Sequence, residues 1–188
     1  KEIEKEFGNP RRTVIRDEVT EIKFDAKDMI PKENVIVVAT NEGYVKRIPL
    51  KSYVSSSGEP TTLKPGDFIR GLYSTTSLDT LLMFTNLGNF IFLPAYKIDE
   101  QKWKDLGVYI NNIVPIDKNE RIVRVFSISD FKNDKKLLLA SKSGLMKQVN
   151  LSDFEVTRYN KPMRAMKLDK PDELASVDMD VKENIIAL

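Results

Sequence analysis

The chain has 188 residues, 41% of them hydrophobic, which is enough for one domain with a real core. It contains no cysteine and no histidine, which excludes disulfides, thiolate metal sites, cysteine nucleophiles, Ser-His-Asp catalysis and nearly every zinc site. The net charge of +2 is too small to argue for a polyanionic partner by itself.

No apolar run approaches the ~20 residues that span a bilayer and no secretory signal is present, so a cytoplasmic protein is expected. Carboxylate-only chemistry survives these exclusions. It has no support in the pattern, because no D-x-D or E-x-x-E arrangement sits on a glycine-rich loop.

In chain order, Lys1–Phe7 carries Ile3 and Phe7 four apart and reads as the last turns of a helix. Gly8-Asn9-Pro10 ends it, Arg11 and Arg12 follow as a solvated joint, and Thr13–Ile15 and Val19–Phe24 are extended segments. The expected organisation is therefore a linker helix over residues 1–12 and a β domain over 13–188.

Three hairpins of one kind then recur: Val35-Ile-Val-Val-Ala-Thr-Asn-Glu-Gly43, Leu81-Leu-Met-Phe-Thr-Asn-Leu-Gly88 and Leu137-Leu-Leu-Ala-Ser-Lys-Ser-Gly144. Their glycines are spaced by 45 and 56 residues, a period that marks a propeller-like array of short-stranded blades. Each glycine is a backbone requirement of a three-residue turn and not a ligand cradle, since no phosphate-loop pattern and no following helix accompany it. Leu50, Ala95 and Leu151 fall at one offset after the glycines, and Tyr53, Ile98 and Phe154 at another, so the exit strands are expected to end on core residues.

Between the copies, Ser52–Pro65 reads as a flexible polar loop. Phe68–Tyr73, Ile122–Phe126, Lys167-Leu168 and Leu174–Val177 read as further strands. Trp103 beside Gly107 is a core plug or turn anchor. Ile185–Leu188 matches the opening strand of a fourth copy, giving about three blades and the start of another in what is expected to be a fragment. Charge is segregated: Ser141–Lys170 holds seven basic and three acidic residues, while Pro171–Leu188 holds one basic and five acidic, a pattern compatible with one basic and one acidic rim.

These motifs resemble a known family. Phe7-Gly8-Asn9-Pro10-Arg11-Arg12-Thr13 resembles the junction where the breakage-reunion core of bacterial type IIA topoisomerases passes into its C-terminal domain. Gly43-Tyr44-Val45-Lys46-Arg47, Phe84-Thr85-Asn86-Leu87-Gly88 and Gly144-Leu145-Met146-Lys147 resemble the blade motifs of that domain. Trp103-Lys104-Asp105-Leu106-Gly107 is similar to the form found in its topoisomerase IV branch.

The resemblance implies an all-β fold, a β-pinwheel whose four-stranded antiparallel blades exchange strands. It also implies a basic edge that binds and bends duplex DNA without reading sequence. The implied partners are duplex DNA, the ATPase subunit of the holoenzyme, and the remainder of the DNA-cleaving subunit. No cofactor is expected here, because ATP and magnesium serve other parts of that assembly. The DNA-cleaving tyrosine belongs upstream of Lys1, so Tyr44, Tyr53, Tyr73, Tyr96, Tyr109 and Tyr159 are not nucleophiles.

The gyrase branch carries a basic, glycine-containing box for wrapping DNA. The corresponding Val54-Ser-Ser-Ser-Gly-Glu-Pro60 has no basic residue, which favours decatenation and relaxation over supercoiling.

Side-chain alternation sends Lys46 and Arg47 to opposite faces of their strand. Their counterparts are Lys147 and Gln148 in the third copy and Ile91 and Phe92 in the second, so a basic path must skip the middle blade. The candidate phosphate contacts are Lys46, Arg47, Lys51, Lys142, Lys147, Arg158, Lys161 and Arg164. The rival readings are a protein-interaction scaffold, which requires an exposed apolar patch, and a carboxylate enzyme, which requires two facing acids in one cleft.

Overall fold

The three turns close as their sequences require. Gly43, Gly88 and Gly144 donate their N–H groups to the carbonyls of Thr40, Thr85 and Ser141 at 3.1, 3.0 and 3.1 Å. All three glycines have left-handed φ, at +85°, +76° and +91°, where a Cβ would be strained. The computed structural model describes residues 2–9, 29–56, 59–157 and 160–179. The expected strands at Thr13–Ile15 and Val19–Phe24, and the start of a fourth copy at Ile185–Leu188, lie outside the described residues.

A short helix α1 (Glu2–Phe7) precedes the β region. The strands follow as β1 (Asn34–Thr40), β2 (Tyr44–Pro49), β3 (Ile69–Thr76), β4 (Thr80–Thr85), β5 (Asn89–Pro94), β6 (Val108–Tyr109), β7 (Ile122–Ile128), β8 (Lys136–Ser141), β9 (Met146–Asn150), β10 (Met163–Arg164) and β11 (Leu174–Met179), with helix α2 (Leu50–Ser55) after β2. They form three antiparallel sheets ordered β3-β1-β2-β6, β7-β4-β5-β10 and β11-β8-β9.

The order shows the exchange. After building the β4–β5 hairpin of the second blade, the chain returns to the first blade as β6, then goes back to line β4 with β7. After the third hairpin it repeats the move, leaving β10 against β5 before β11 joins β8. This is the strand exchange between neighbouring blades that the family resemblance implied. The returning strands are two residues long and without periodicity, so they were not foreseen. Lys167-Leu168, expected as a strand, lies in the connection after β10.

The sheets stack through alternating side chains. Val35, Val37 and Ala39 of β1 meet Leu81, Met83, Ile91 and Leu93 of the second blade in one core. The opposite face of that blade, with Leu82, Phe84, Phe90 and Phe92, meets Leu137, Leu139, Leu174 and Val177 of the third in another. The middle sheet is thus buried on both sides, and its hairpin strands read as continuous apolar runs for that reason. In β7 only every third residue is fully buried.

The remaining face of the first blade, with Ile36, Val38 and Ile48, is covered by Trp103, Tyr53 and Leu50. Tyr53 meets Trp103 edge-on at 4.9 Å, and the Trp103 indole N–H donates to the Glu59 carbonyl. The tryptophan is a core plug, as its setting beside Gly107 led us to expect.

Two expectations about the connections are corrected. Leu50, Ala95 and Leu151 do not end the exit strands. Each opens the short helical turn that follows: α2, Ala95–Lys97 and Leu151–Phe154 respectively. The first part of Ser52–Pro65 is helical through Ser55, because Leu50 and Tyr53, three apart, dock on the Trp103 cluster and tertiary burial overrides the polar composition.

Neighbouring blades are pinned at the turns. Within each blade Asn41, Asn86 and Lys142 donate their N–H groups to the carbonyls just before β3, β7 and β11, at 2.9, 3.0 and 2.8 Å. The carbonyls of Asn41 and Asn86 accept from the next blade, from Ile122 and Leu174 at 3.3 and 2.8 Å. The described acids of the C-terminal segment are each drawn to a partner. Asp172 accepts from Ser143, Glu173 pairs with Lys142, and Asp178 pairs with Arg124.

Candidate nucleic-acid interface

Strand alternation separates Lys46 and Arg47 as expected, but Lys46 goes inward. It shares a face with Ile36, Val38 and Ile48 and is 2% exposed. Its ammonium donates to the carbonyls of Trp103 and Asp105 at 2.9 and 2.6 Å, and to the Thr61 hydroxyl. The nitrogen also lies 5.4 Å from the centre of the Trp103 ring. Burial pushes the Lys46 pKa down from its ordinary value, and the charge of Asp105 opposes that shift. Lys46 is therefore withdrawn from the set of phosphate contacts: its three donors are engaged inside the protein.

Arg47 is half-buried, and its Nε donates to the Ile98 carbonyl at 2.9 Å. Lys51 is exposed on α2. Arg158 lies outside the described residues. In the second blade Ile91 and Phe92 are buried, so the middle blade offers no cation at these positions.

At the junction of the second and third blades Lys147 meets the segment that carries Lys161 and Arg164. Lys147 on β9 is exposed and donates one hydrogen bond, to the Ala165 carbonyl at 2.9 Å. That contact sets it beside Arg164, which is exposed on β10 opposite Asn89, and Lys161 is exposed three residues earlier. Neither Lys161 nor Arg164 forms an ion pair with another described residue. Lys147 occupies the same place in its hairpin as Lys46, and the two differ in what covers them. The Trp103 loop closes over Lys46, whereas Lys147 stays in solvent with donors to spare.

The eighth candidate, Lys142, lies at the turn end of the third blade. Its ammonium is 2.6 Å from Glu173 in a solvent-exposed pair, a geometry typically worth ~0–1 kcal/mol. The hydrogen bonds from Lys142 and Asn86 hold the Glu173 carboxyl below its ordinary value, so the pair persists at neutral pH. Lys142 lines a groove of about 530 Å³ together with Arg70, which the sequence suggests only as a strand residue, and Arg121, just before the expected strand Ile122–Phe126. Their setting beside Asn41 and Asn86 depends on how the turns of successive blades step past one another.

The buried acid Glu120 takes Asn89 Nδ2 at 2.8 Å and the Asp117 N–H at 3.1 Å, and also accepts from the Thr85 hydroxyl. It braces the second turn, with its oxygens occupied by neighbours. Among the described residues no group of three or more acids is placed to hold a metal ion, and no helix is long and apolar enough to cross a membrane.

Comparison with known proteins places this architecture. The family described as "DNA gyrase C-terminal domain, beta-propeller" matches residues 34–76, 79–129 and 135–179, one match for each hairpin unit. The A subunit of DNA topoisomerase 4 from Staphylococcus epidermidis is 41% identical over 94% of this chain and 22% of its own length. Its counterpart from Staphylococcus aureus is 37% identical over 100% of this chain and 23% of its own. The chain thus spans less than a quarter of these relatives.

Among solved structures, the C-terminal domain of DNA topoisomerase IV superposes with a TM-score of 0.77 at 36% identity, covering 80% of this chain and 47% of that one. A DNA gyrase A C-terminal domain shares the fold, with a TM-score of 0.54 at 24% identity over 80% of this chain and 49% of its own. The chain belongs to the DNA gyrase C-terminal β-propeller family.

Proposed function

We propose that this chain is the DNA-binding C-terminal domain of the DNA-cleaving subunit of a topoisomerase IV. In this reading it holds and bends duplex DNA, without sequence preference, beside a catalytic core that carries the cleaving tyrosine and a partner subunit that hydrolyses ATP in the cytoplasm. The observation that carries the reading is the exposed group of Lys147, Lys161 and Arg164 at the junction of two blades of this family, with N–H donors left free by the described residues. Phosphate neutralisation by such groups releases counterions and gives affinity that is independent of sequence.

The topoisomerase IV branch is supported by the names of the relatives and by the loop after Tyr53. There Glu59 pairs with Lys104 at 2.6 Å and its carbonyl receives Trp103, so this loop fastens the Trp103 plug instead of presenting a basic box.

The test is binding of the chain to a fluorescent random-sequence duplex across a salt series. We expect affinity that falls steeply with salt and is indifferent to sequence. The triple variant K147Q/K161Q/R164Q is expected to flatten the log–log slope by ~0.9 for each phosphate no longer neutralised. An unchanged slope in that variant would remove these residues from the interface, and no binding at low salt would leave the scaffold reading in its place.

A further inference from the structure

The groove at the turn end adds two cations that the rim reading does not use, Arg70 and Arg121. Arg70 is fixed in place. Its Nε and Nη2 both donate to Asn41 Oδ1, at 3.1 and 2.9 Å, and its guanidinium lies 4.5 Å over the Phe68 ring. That leaves Nη1 free on a side chain whose rotamer is already chosen, so a ligand would order little more.

Arg121 is fixed at its backbone. Asn86 Oδ1 accepts the Arg121 N–H at 2.8 Å, and the Arg121 carbonyl receives the Asn86 N–H at 3.0 Å. Its side chain is exposed and makes no hydrogen bond to a described residue. The third cation, Lys142, is held by Glu173, which also receives Asn86 Nδ2 at 3.3 Å. Two arginines with donors free, one lysine tied to one carboxylate and a wall of asparagine amides line a single concavity. Guanidinium forks in that setting match the paired oxygens of a phosphodiester.

We propose that this groove is a second phosphate seat for duplex DNA, in which Arg70 and Arg121 make the contacts and Glu173 restrains Lys142 from making a third. The inference rests on the DNA-binding reading but assigns different residues from those on β9 and β10. A phosphodiester is favoured over an acidic peptide because the large apolar residues lining the groove, Ile122 and Leu174, are buried in the blade cores, which leaves its cations and amides as the main accessible groups. A peptide groove draws much of its affinity from apolar anchors.

The carboxylate gives the test a sign that a structural role would not reproduce. R70Q/R121Q is expected to flatten the salt slope for the random duplex by ~1.8, two contacts at ~0.9 each. E173Q keeps the shape of the side chain and its acceptor for Asn86 while releasing Lys142. It is expected to steepen the slope by up to ~0.9 and to tighten binding at low salt.

The proposal is overturned if both variants keep the wild-type slope while K147Q/K161Q/R164Q loses slope, an outcome that leaves the DNA reading intact. It is also overturned if R70Q/R121Q loses binding to a glutamate-rich peptide and not to DNA. If the wild-type chain binds no duplex, the function and the seat fail together.

Discussion

Replacing Lys46 with alanine is expected to lower the stability of the chain by ~3 kcal/mol or more and to leave its DNA salt slope at the wild-type value. The side chain is fully enclosed, and its ammonium terminates the carbonyls of Trp103 and Asp105, which arrive from 57 and 59 residues further along the chain. Truncation opens a cavity under the indole and strands the Asp105 carbonyl, while the Trp103 carbonyl keeps the Thr61 hydroxyl at 2.7 Å; a buried acceptor left without a partner costs roughly 1–3 kcal/mol. Lys46→Met keeps the stem and removes only the donors, so it is expected to fall between wild type and alanine.

Urea unfolding midpoints, read with the DNA salt series, separate the two roles for Lys46. A loss of ~0.9 in slope with an unchanged midpoint would return Lys46 to the interface.

The pH dependence has a definite sign. Because burial holds the folded-state pKa below its ordinary 10.5, the unfolded chain binds this proton more tightly. Lys46 therefore makes stability rise with pH between its lowered folded value and 10.5, and imposes its full desolvation cost below that window. Tyr73 acts oppositely: burial raises its pKa above 10.0, so its contribution is lost as pH rises through the raised value. The difference between wild type and Lys46→Met, followed from neutral to alkaline pH, isolates the lysine. It is expected to widen as pH rises through that window, because wild type gains stability there and the methionine variant does not titrate.

Lys46 also marks how far the sequence could be read. The hairpins were legible because a glycine three residues past the last strand residue is a local signal with a local cause, and Gly43, Gly88 and Gly144 all obey it. The fate of Lys46 is not local. In Tyr44-Val45-Lys46-Arg47 nothing distinguishes it from Lys147 at the same place in the third hairpin, and only the distant Trp103 loop buries one and not the other.

The same reason hid the returning strands Val108–Tyr109 and Met163–Arg164, which are too short for any periodicity to register. Arg70 and Arg121 were visible as residues, but their shared groove is created by the stepping of Asn41 and Asn86 between blades. The charge segregation was legible as composition. Its meaning was not, since Glu173 and Asp172 fold back onto the turn of the third blade.

The three turn glycines offer a graded experiment in which the dihedral is held constant and the surroundings change. Alanine at Gly144 meets nothing within 4 Å, so it incurs only the strain of the left-handed backbone, ~1–2 kcal/mol. Alanine at Gly43 adds a contact of 2.9 Å with Cγ2 of Ile110, a side-chain atom that has some room to give, and is expected to cost more.

Alanine at Gly88 would place Cβ 2.4 Å from the carbonyl oxygen of Met166, a backbone atom that cannot rotate away. The Gly88 carbonyl also receives the N–H groups of Ala165 and Met166, both at 2.9 Å. This glycine is where the returning segment that carries β10 is fastened to the second blade. We expect Gly88→Ala to cost more than ~4 kcal/mol, a large part of the ~5–15 kcal/mol that holds a domain together, and to raise amide exchange first at Met163 and Arg164.

Equal costs at the three positions would mean that the turns matter only for their own conformation. The ranking Gly144 < Gly43 < Gly88 would mean that strand exchange is secured at the hairpin tip. In that case Gly88→Ala also displaces Arg164 and Lys147 from their common surface and flattens the DNA salt slope, a consequence that Gly144→Ala does not share.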